Sequence, residues 1–187
     1  MRAIASACYH RGMRTFSLPL VLAVLAAAGV FSACSPTFDW RDYRSADAPY
    51  SALFPGKPST HTRTIDLDGL QVSMTMAASD VDGNTFAVGS ATLPDAAKAP
   101  AALVAMKTAL IKNIGATVKD QTTAATASAS DTALDIEVRG TQNGKPVWLV
   151  GRFLAQDKRI YQVIVVAKEK PVSRENIDMF MGSFKLN

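Results

Sequence analysis

Short turn signals, Asp68-Gly69, Asp82-Gly83-Asn84, Asn143-Gly144 and Asp157-Lys158, punctuate this chain and separate runs of β-forming residues. Connections this tight join only antiparallel neighbours, because a parallel crossover consumes about a dozen residues or more. The runs themselves alternate. Val72, Met74 and Met76 face one way and Gln71, Ser73 and Thr75 the other, while Leu134, Ile136 and Val138 oppose Asp135, Glu137 and Arg139. Alternation with period two marks a sheet with one face buried. Thr60 to Leu67 and Leu70 to Ala78 therefore form a hairpin, Thr85 to Leu93 returns as the next strand, and Val147 to Leu154 follows the Asn143-Gly144 turn. Ile160 to Val166 is apolar on both faces apart from Gln162 and belongs at the centre of the sheet. Tyr50 to Phe54, stopped by Pro55-Gly56-Lys57-Pro58, reads as an edge strand.

Two segments change to the helical period. Pro100 to Ile114 starts near a proline, stops at Gly115, and stacks Leu103, Met106, Leu110 and Ile114 on one side, widened by Val104 and Ile111. Lys107 falls inside this stripe, either laying its stem on the core with its ammonium in water or serving as a buried anion-binding group. Ser173 caps a second helix, with Glu175 in its first turn and Ile177, Phe180, Met181 and Phe184 on one face. Ala116 to Asp131, rich in Thr, Ala and Ser, reads equally as a ragged strand or a loop. The fold class is α+β: an antiparallel meander crossed by a central helix, with a C-terminal helix packed on the sheet.

The N-terminus follows different rules. Arg2, Arg11 and Arg14 precede an apolar run from Phe16 to Val30, the layout of a secretion signal. The next residues, Phe31-Ser32-Ala33-Cys34, resemble the lipobox of bacterial lipoproteins, although Phe31 stands where leucine is usual. That resemblance implies cleavage before Cys34, a diacylglycerol thioether on its sulfur and an N-acyl chain such as palmitate on its amine. Several chains anchor stably where one alone is marginal. By the same resemblance, Ser35 rather than Asp after the cysteine implies the outer membrane over the inner. The expected organisation is a signal peptide over 1–33, a lipid-anchored tether over 34–48 and one domain over 49–187. The alternatives are a secretory cut near Ala26-Ala27-Ala28 and a single uncleaved inner-membrane anchor, since Phe16 to Ala33 just reaches the length of about 20 residues that spans a bilayer.

Composition narrows the function classes. The chain has 20 Lys and Arg against 16 Asp and Glu, but three of the arginines lie in the signal, so the mature part carries a net charge of only +1. No nucleic-acid face follows from that balance. Cys8 leaves with the signal and Cys34 is acylated, which leaves no thiol for a disulfide or a metal. His61 is then the only histidine, without a nucleophile motif to serve. Asp80-Val81-Asp82-Gly83-Asn84 has its glycine misplaced for a calcium loop, and the Gly-Lys-Pro tripeptides at Gly56 and Gly144 lack the helix-leading Ser or Thr of a phosphate loop. Asp66, Asp68, Asp80 and Asp82, all at turns, either gather into a weak cation site or cap those turns. Met74, Met76, Met106, Met179 and Met181 fill the core or line an adaptable pocket. Trp40 and Tyr43, within Phe38-Asp39-Trp40-Arg41-Asp42-Tyr43-Arg44, either enter the headgroup region or pack on the domain.

The Phe54-Pro55-Gly56-Lys57-Pro58 opening, the long middle helix, Arg159-Ile160-Tyr161-Gln162-Val163 and the Phe180 to Leu186 ending together resemble the PsbP-like group of α-β-α sandwich domains. This implies a six- or seven-stranded antiparallel sheet with helices on both faces, in proteins that serve mostly as binding or assembly accessories. The function expected is a non-catalytic, membrane-anchored periplasmic lipoprotein with an envelope protein as partner and no cofactor, metal or nucleic acid. The alternative is a small-ligand or lipid carrier with an apolar pocket between sheet and central helix, with Lys107 as its anion handle. Intact mass spectrometry of protein purified from bacterial membranes is expected to give a chain that starts at acylated Cys34. A chain retaining Met1 would overturn that assignment.

Overall fold

A computed structural model describes residues 37–114, 121–128, 131–142, 144–168 and 172–187. In chain order the elements are β1 (Arg41–Arg44), β2 (Tyr50–Phe54), β3 (Ser59–Leu67), β4 (Leu70–Val81), β5 (Asn84–Thr92) and helix α1 (Ala99–Asn113). They continue with β6 (Gln121–Ser128), β7 (Asp131–Gln142), β8 (Lys145–Gln156), β9 (Arg159–Ala167), helix α2 (Arg174–Ser183) and β10 (Lys185–Leu186). Seven strands form one sheet in the order β3-β4-β5-β9-β8-β7-β6, with every neighbouring pair antiparallel. The fold is α+β, as the alternation and turns require.

The turns set this topology. Asp68 and Gly69 have φ of 58° and 86°, and Asp82 and Gly83 have 51° and 76°. Positive φ at both central residues matches the twist of the flanking strands, which is why Asp-Gly holds each hairpin so tightly. After β5 the chain crosses one face as α1, a helix that opens with Pro100 in its first turn and follows a 3-10 turn capped by Asp95, whose carboxylate accepts from Ala97 N–H at 3.0 Å. It then enters the far edge as β6 and returns through β7 and β8, so β9 arrives beside β5 at the middle of the sheet. All of β9 except Arg159 is buried, as expected of a central strand.

Each face of the sheet carries its own core. On one side Leu103 and Met106 of α1 pack with Val72, Met74, Phe153, Ile160 and Leu149. On the other, Ile177 and Phe180 of α2 pack with Tyr50, Phe54, Phe86, Tyr161 and Val163. Ser173 caps α2, its hydroxyl accepting from Asn176 N–H at 3.2 Å, and Glu175 sits in the first turn where the helix dipole favours a carboxylate.

Three features differ from the sequence expectations or decide between them. β2 is no edge strand: it lies between β1 and β10 in a separate three-stranded sheet. That Tyr50 to Phe54 is a strand was legible as an apolar run stopped by Pro55, whereas partners from both ends of the domain were not. The stretch expected as a tether joins the fold from Phe38 onward, because β1 pairs with β2 and the nearby aromatic rings find the second core. Within the ambiguous 116–131 stretch, residues 121–128 form edge strand β6. Residues 116–120 and 129–130 of that stretch, Gly115 at the helix stop and Asn143 of the last Asn-Gly turn lie outside the described residues.

Side-chain burial on α1 yields a stability contrast. Leu103 is fully buried while Val104, the next residue, is 51% exposed. Leu103→Ala is expected to cost about 2–5 kcal/mol, and Val104→Ala to stay within about 0.5 kcal/mol. Urea unfolding of the two variants checks the difference. Equal losses would mean that α1 packs by another face.

Candidate functional site

A broad concavity follows the outer edge of the sheet, where β3 runs free on one side and α1 covers one face. Two contiguous clefts occupy it, of about 680 and 350 Å3, sharing Asp66 and Ala109 in their walls. Strand alternation places Arg63, Ile65 and Leu67 of β3 toward α1, and the helix supplies Val104, Ala105 and Ala109. Deeper in the smaller cleft lie Met74, Met106 and Gln162, all buried. The Gln162 amide donates to the Met76 sulfur at 3.1 Å.

The larger cleft is the more apolar, with Asp68 near the start of α1; Asp66 stands where the two clefts meet, and Arg63 and Asn113 line the smaller one near the finish of α1. Asp66 is fixed by the hairpin, its carboxylate accepting from Gly69 N–H at 2.6 Å and from the Gln71 side chain. Because α1 is apolar around most of its circumference, Val104 stays exposed although nothing in its own sequence argues for water. An extended segment laid along β3 would find free backbone partners on the strand and apolar contacts in the groove.

A second concavity, of about 240 Å3, lies between β7, β8 and α2 on the opposite face. Asp135 and Arg152 are cross-strand partners joined by two hydrogen bonds of 2.7 and 2.9 Å. Glu137 accepts from Trp148 Nε1 at 3.0 Å and from Arg174 at 2.8 Å, and Arg174 also donates to Asp178 at 2.9 Å. The Arg139 guanidinium stands 4.3 Å over the Trp148 ring. Hydrogen bonding to Asp135 raises the Arg152 pKa, and hydrogen bonding to Glu137 raises that of Arg174. Among the described residues each of these carboxylates is matched to an arginine, and the arrangement clamps the start of α2 to the sheet.

The residues singled out in the sequence do not converge. Lys107 is half-buried on α1 and lines neither groove cleft, so the cation at an apolar cleft is Arg63. Arg63 was missed, though sharing a strand face with Ile65 and Leu67 was its signal. Trp40 stacks on Phe38 at 5.8 Å and meets the edge of Phe86 at 6.3 Å, while Tyr43 meets Phe54 edge-on at 5.4 Å. Both rings pack on the domain. Cys34 lies outside the described residues. His61 is exposed on β3.

The four turn aspartates do not gather. Asp68 and Asp82 belong to successive hairpins that share β4, so they lie at opposite ends of a 12-residue strand. Asp80 instead accepts from the Thr85 hydroxyl at 2.5 Å. Among the described residues no three His, Cys, Asp or Glu side chains come together as metal ligands, and no helix is long and apolar enough to cross a membrane. Of the methionines, Met74 and Met106 are core, Met76 and Met181 are half-buried and Met179 is exposed.

Two buried tyrosines complete the electrostatics. Burial, reinforced by nearby Tyr43, pushes the Tyr50 phenol well above its usual pKa, and burial also raises Tyr161, whose hydroxyl has no hydrogen-bond partner among the described residues. The neutral phenol is the form the fold favours, so its contribution is complete below the unfolded pKa of about 10 and is lost as pH rises above it. Thermal melts are expected to show Tm falling above about pH 10, with a shallower fall in Tyr50→Phe. An unchanged slope in that variant would locate the alkaline sensitivity elsewhere.

Comparison with known proteins adds no name to this geometry. No protein-family model matches the chain, and no curated protein is significantly similar to it.

Proposed function

We propose that this protein is a non-catalytic lipoprotein of the cell envelope, anchored through acylated Cys34 and facing the periplasm, that binds a partner protein along the β3–α1 groove. The groove carries the binding part of this reading. A free nine-residue strand edge borders a channel of mixed apolar and polar lining, with Asp68 toward one end and the Arg63 guanidinium toward the other. Such a surface suits an extended segment with alternate apolar side chains, a basic residue to meet Asp68, and an acidic one to meet Arg63. The address rests on the Phe31-Ser32-Ala33-Cys34 motif, and Ser35 favours the outer membrane. The alternative address is a single uncleaved inner-membrane anchor.

The non-catalytic part is supported by what the shifted groups do. The arginines with raised pKa are held in ion pairs, and the tyrosines are packed in the core. The antiparallel sheet with a helix on each face accords with a PsbP-like accessory, and that kinship is part of the proposal.

A second reading, a carrier of a small amphipathic anion, is favoured by one observation: Arg63 at the mouth of a cleft floored by Met74 and Met106. In intact cells, a photo-crosslinker replacing Ala109 is expected to capture one discrete envelope protein through an extended peptide, and one replacing Lys158 is not. Asp68→Lys should cut that capture about tenfold, equivalent to about 1.4 kcal/mol. No reproducible partner, together with a co-purifying small mass that Arg63→Ala removes, would replace the partner reading with the carrier.

A further inference from the structure

Short covalent reach orients the domain. On the lipoprotein reading above, the acyl chains are attached at Cys34, and Phe38 is only four residues further along. At about 3.5 Å per residue these positions stand no more than roughly 14 Å apart. Phe38 is no free end. Its ring stacks on Trp40 and meets the edge of Phe86 at 6.1 Å, and the following residue, Asp39, donates its N–H to the Pro55 carbonyl at 3.0 Å.

Strand register identifies which end of the sheet this is. Phe86 pairs with Ser79 near the close of β4, and Gly56 lies so near that a Cβ there would come within 3.0 Å of the Ser79 hydroxyl and 3.7 Å of Val81. Phe38, Pro55 to Pro58 and the Asp82-Gly83 turn therefore share one end. Lys98 shares a cleft with Asp68 and Gly69 at the other end. Along the 12 residues of β4 the ends are separated by roughly 35–40 Å.

We propose that the acylated protein rests on the bilayer by the end bearing Phe38, Pro55 to Pro58 and the Asp82-Gly83 turn, with the Asp68-Gly69 and Lys98 end pointing away into the periplasm. The occupant of this end is a phospholipid surface. Trp40, half-buried beside Phe38, is held at this end by its edge contact with Phe86. Charges of both signs stand there, Lys57, Lys168, Arg41 and, at the Gly144 turn, Lys145 with Asp39, Asp80 and Asp82, so the short link rather than a patch of one sign sets the pose. The carboxylates of Asp66 and Asp68 oppose a flat pose, because laying that side on an anionic leaflet sets like charges together. An upright pose leaves the β3–α1 groove open along its length.

The mature chain has no cysteine besides acylated Cys34, so single labels are easily placed. Full-length Lys57→Cys and Lys98→Cys, both at exposed positions, are labelled with bimane and reconstituted in phosphatidylethanolamine–phosphatidylglycerol vesicles containing a headgroup nitroxide lipid. Quenching several-fold stronger in the Lys57→Cys variant than in Lys98→Cys, abolished by a ten-residue Gly-Ser insertion after Pro36, is the expected result. Equal quenching of the two variants in protein whose intact mass shows acylated Cys34 would overturn the upright pose while leaving the lipoprotein reading in place. An intact mass without acylation would overturn both.

Discussion

Pairing of β9 with β5 is the contact on which the rest of the structure depends. Each of the strands β3 to β5, and each of β6 to β9, neighbours the next in sequence, and the two meanders are joined edge to edge by the eight residue pairs from Thr85–Val166 to Thr92–Arg159. The junction is stabilised from both sides. Val163 and Val165 of β9 enter the core under α2, and Ile160, Ile164 and Val166 enter the core under α1. Burying each such side chain contributes about 1.5–3 kcal/mol. Close approach adds a constraint at Gly89, where a Cβ would come within 2.8 Å of the Gln162 side chain across the pair and 2.5 Å of the Met76 sulfur.

With that junction formed, the two faces acquire different duties. Under α1 the helix bridges both meanders, and it leaves the outer edge of β3 uncovered because it sits over the middle of the sheet. Under α2 the second face is closed by a helix and three short strands drawn from the two ends of the domain. Aromatic rings dominate that closure: Phe180 meets Phe54 at 5.3 Å and Phe86 at 5.4 Å, and Tyr50 stacks on Phe184 at 5.6 Å. Since Phe38 and Trp40 join the same cluster, residues among the first described after Cys34 are coupled to the core.

Much of the sheet was legible because its signals are local. Alternation marks a strand and Asp-Gly marks a hairpin wherever they occur, and the Asn143-Gly144 turn even implies that Asp135 faces Arg152, since a two-residue loop fixes the register of everything behind it. The candidate groove was not legible in the same way. Arg63 and Asp66 lie on β3, separated along the chain from Ala109 by the β3–β4 hairpin, β5 and the start of α1, and they share a wall with it only because the flank of α1 approaches β3. Lys107 attracted attention through its place on the helical wheel, but a wheel shows which face is apolar without showing where the neighbouring strand stops.

By itself the sequence determined the antiparallel pairing of neighbours, the central position of β9, the two helices and the Ser173 cap of the second. Each depends on residues within a few positions of one another, where backbone sterics, turn geometry and hydrophobic period act directly. Only the tertiary structure decided that β2 lies between β1 and β10, that Phe38 and Trp40 belong to the core, that the turn aspartates point to opposite ends, and that the open groove runs beside Arg63. These follow from burial between segments distant in the chain, and the apolar area they remove from water depends on the complete fold.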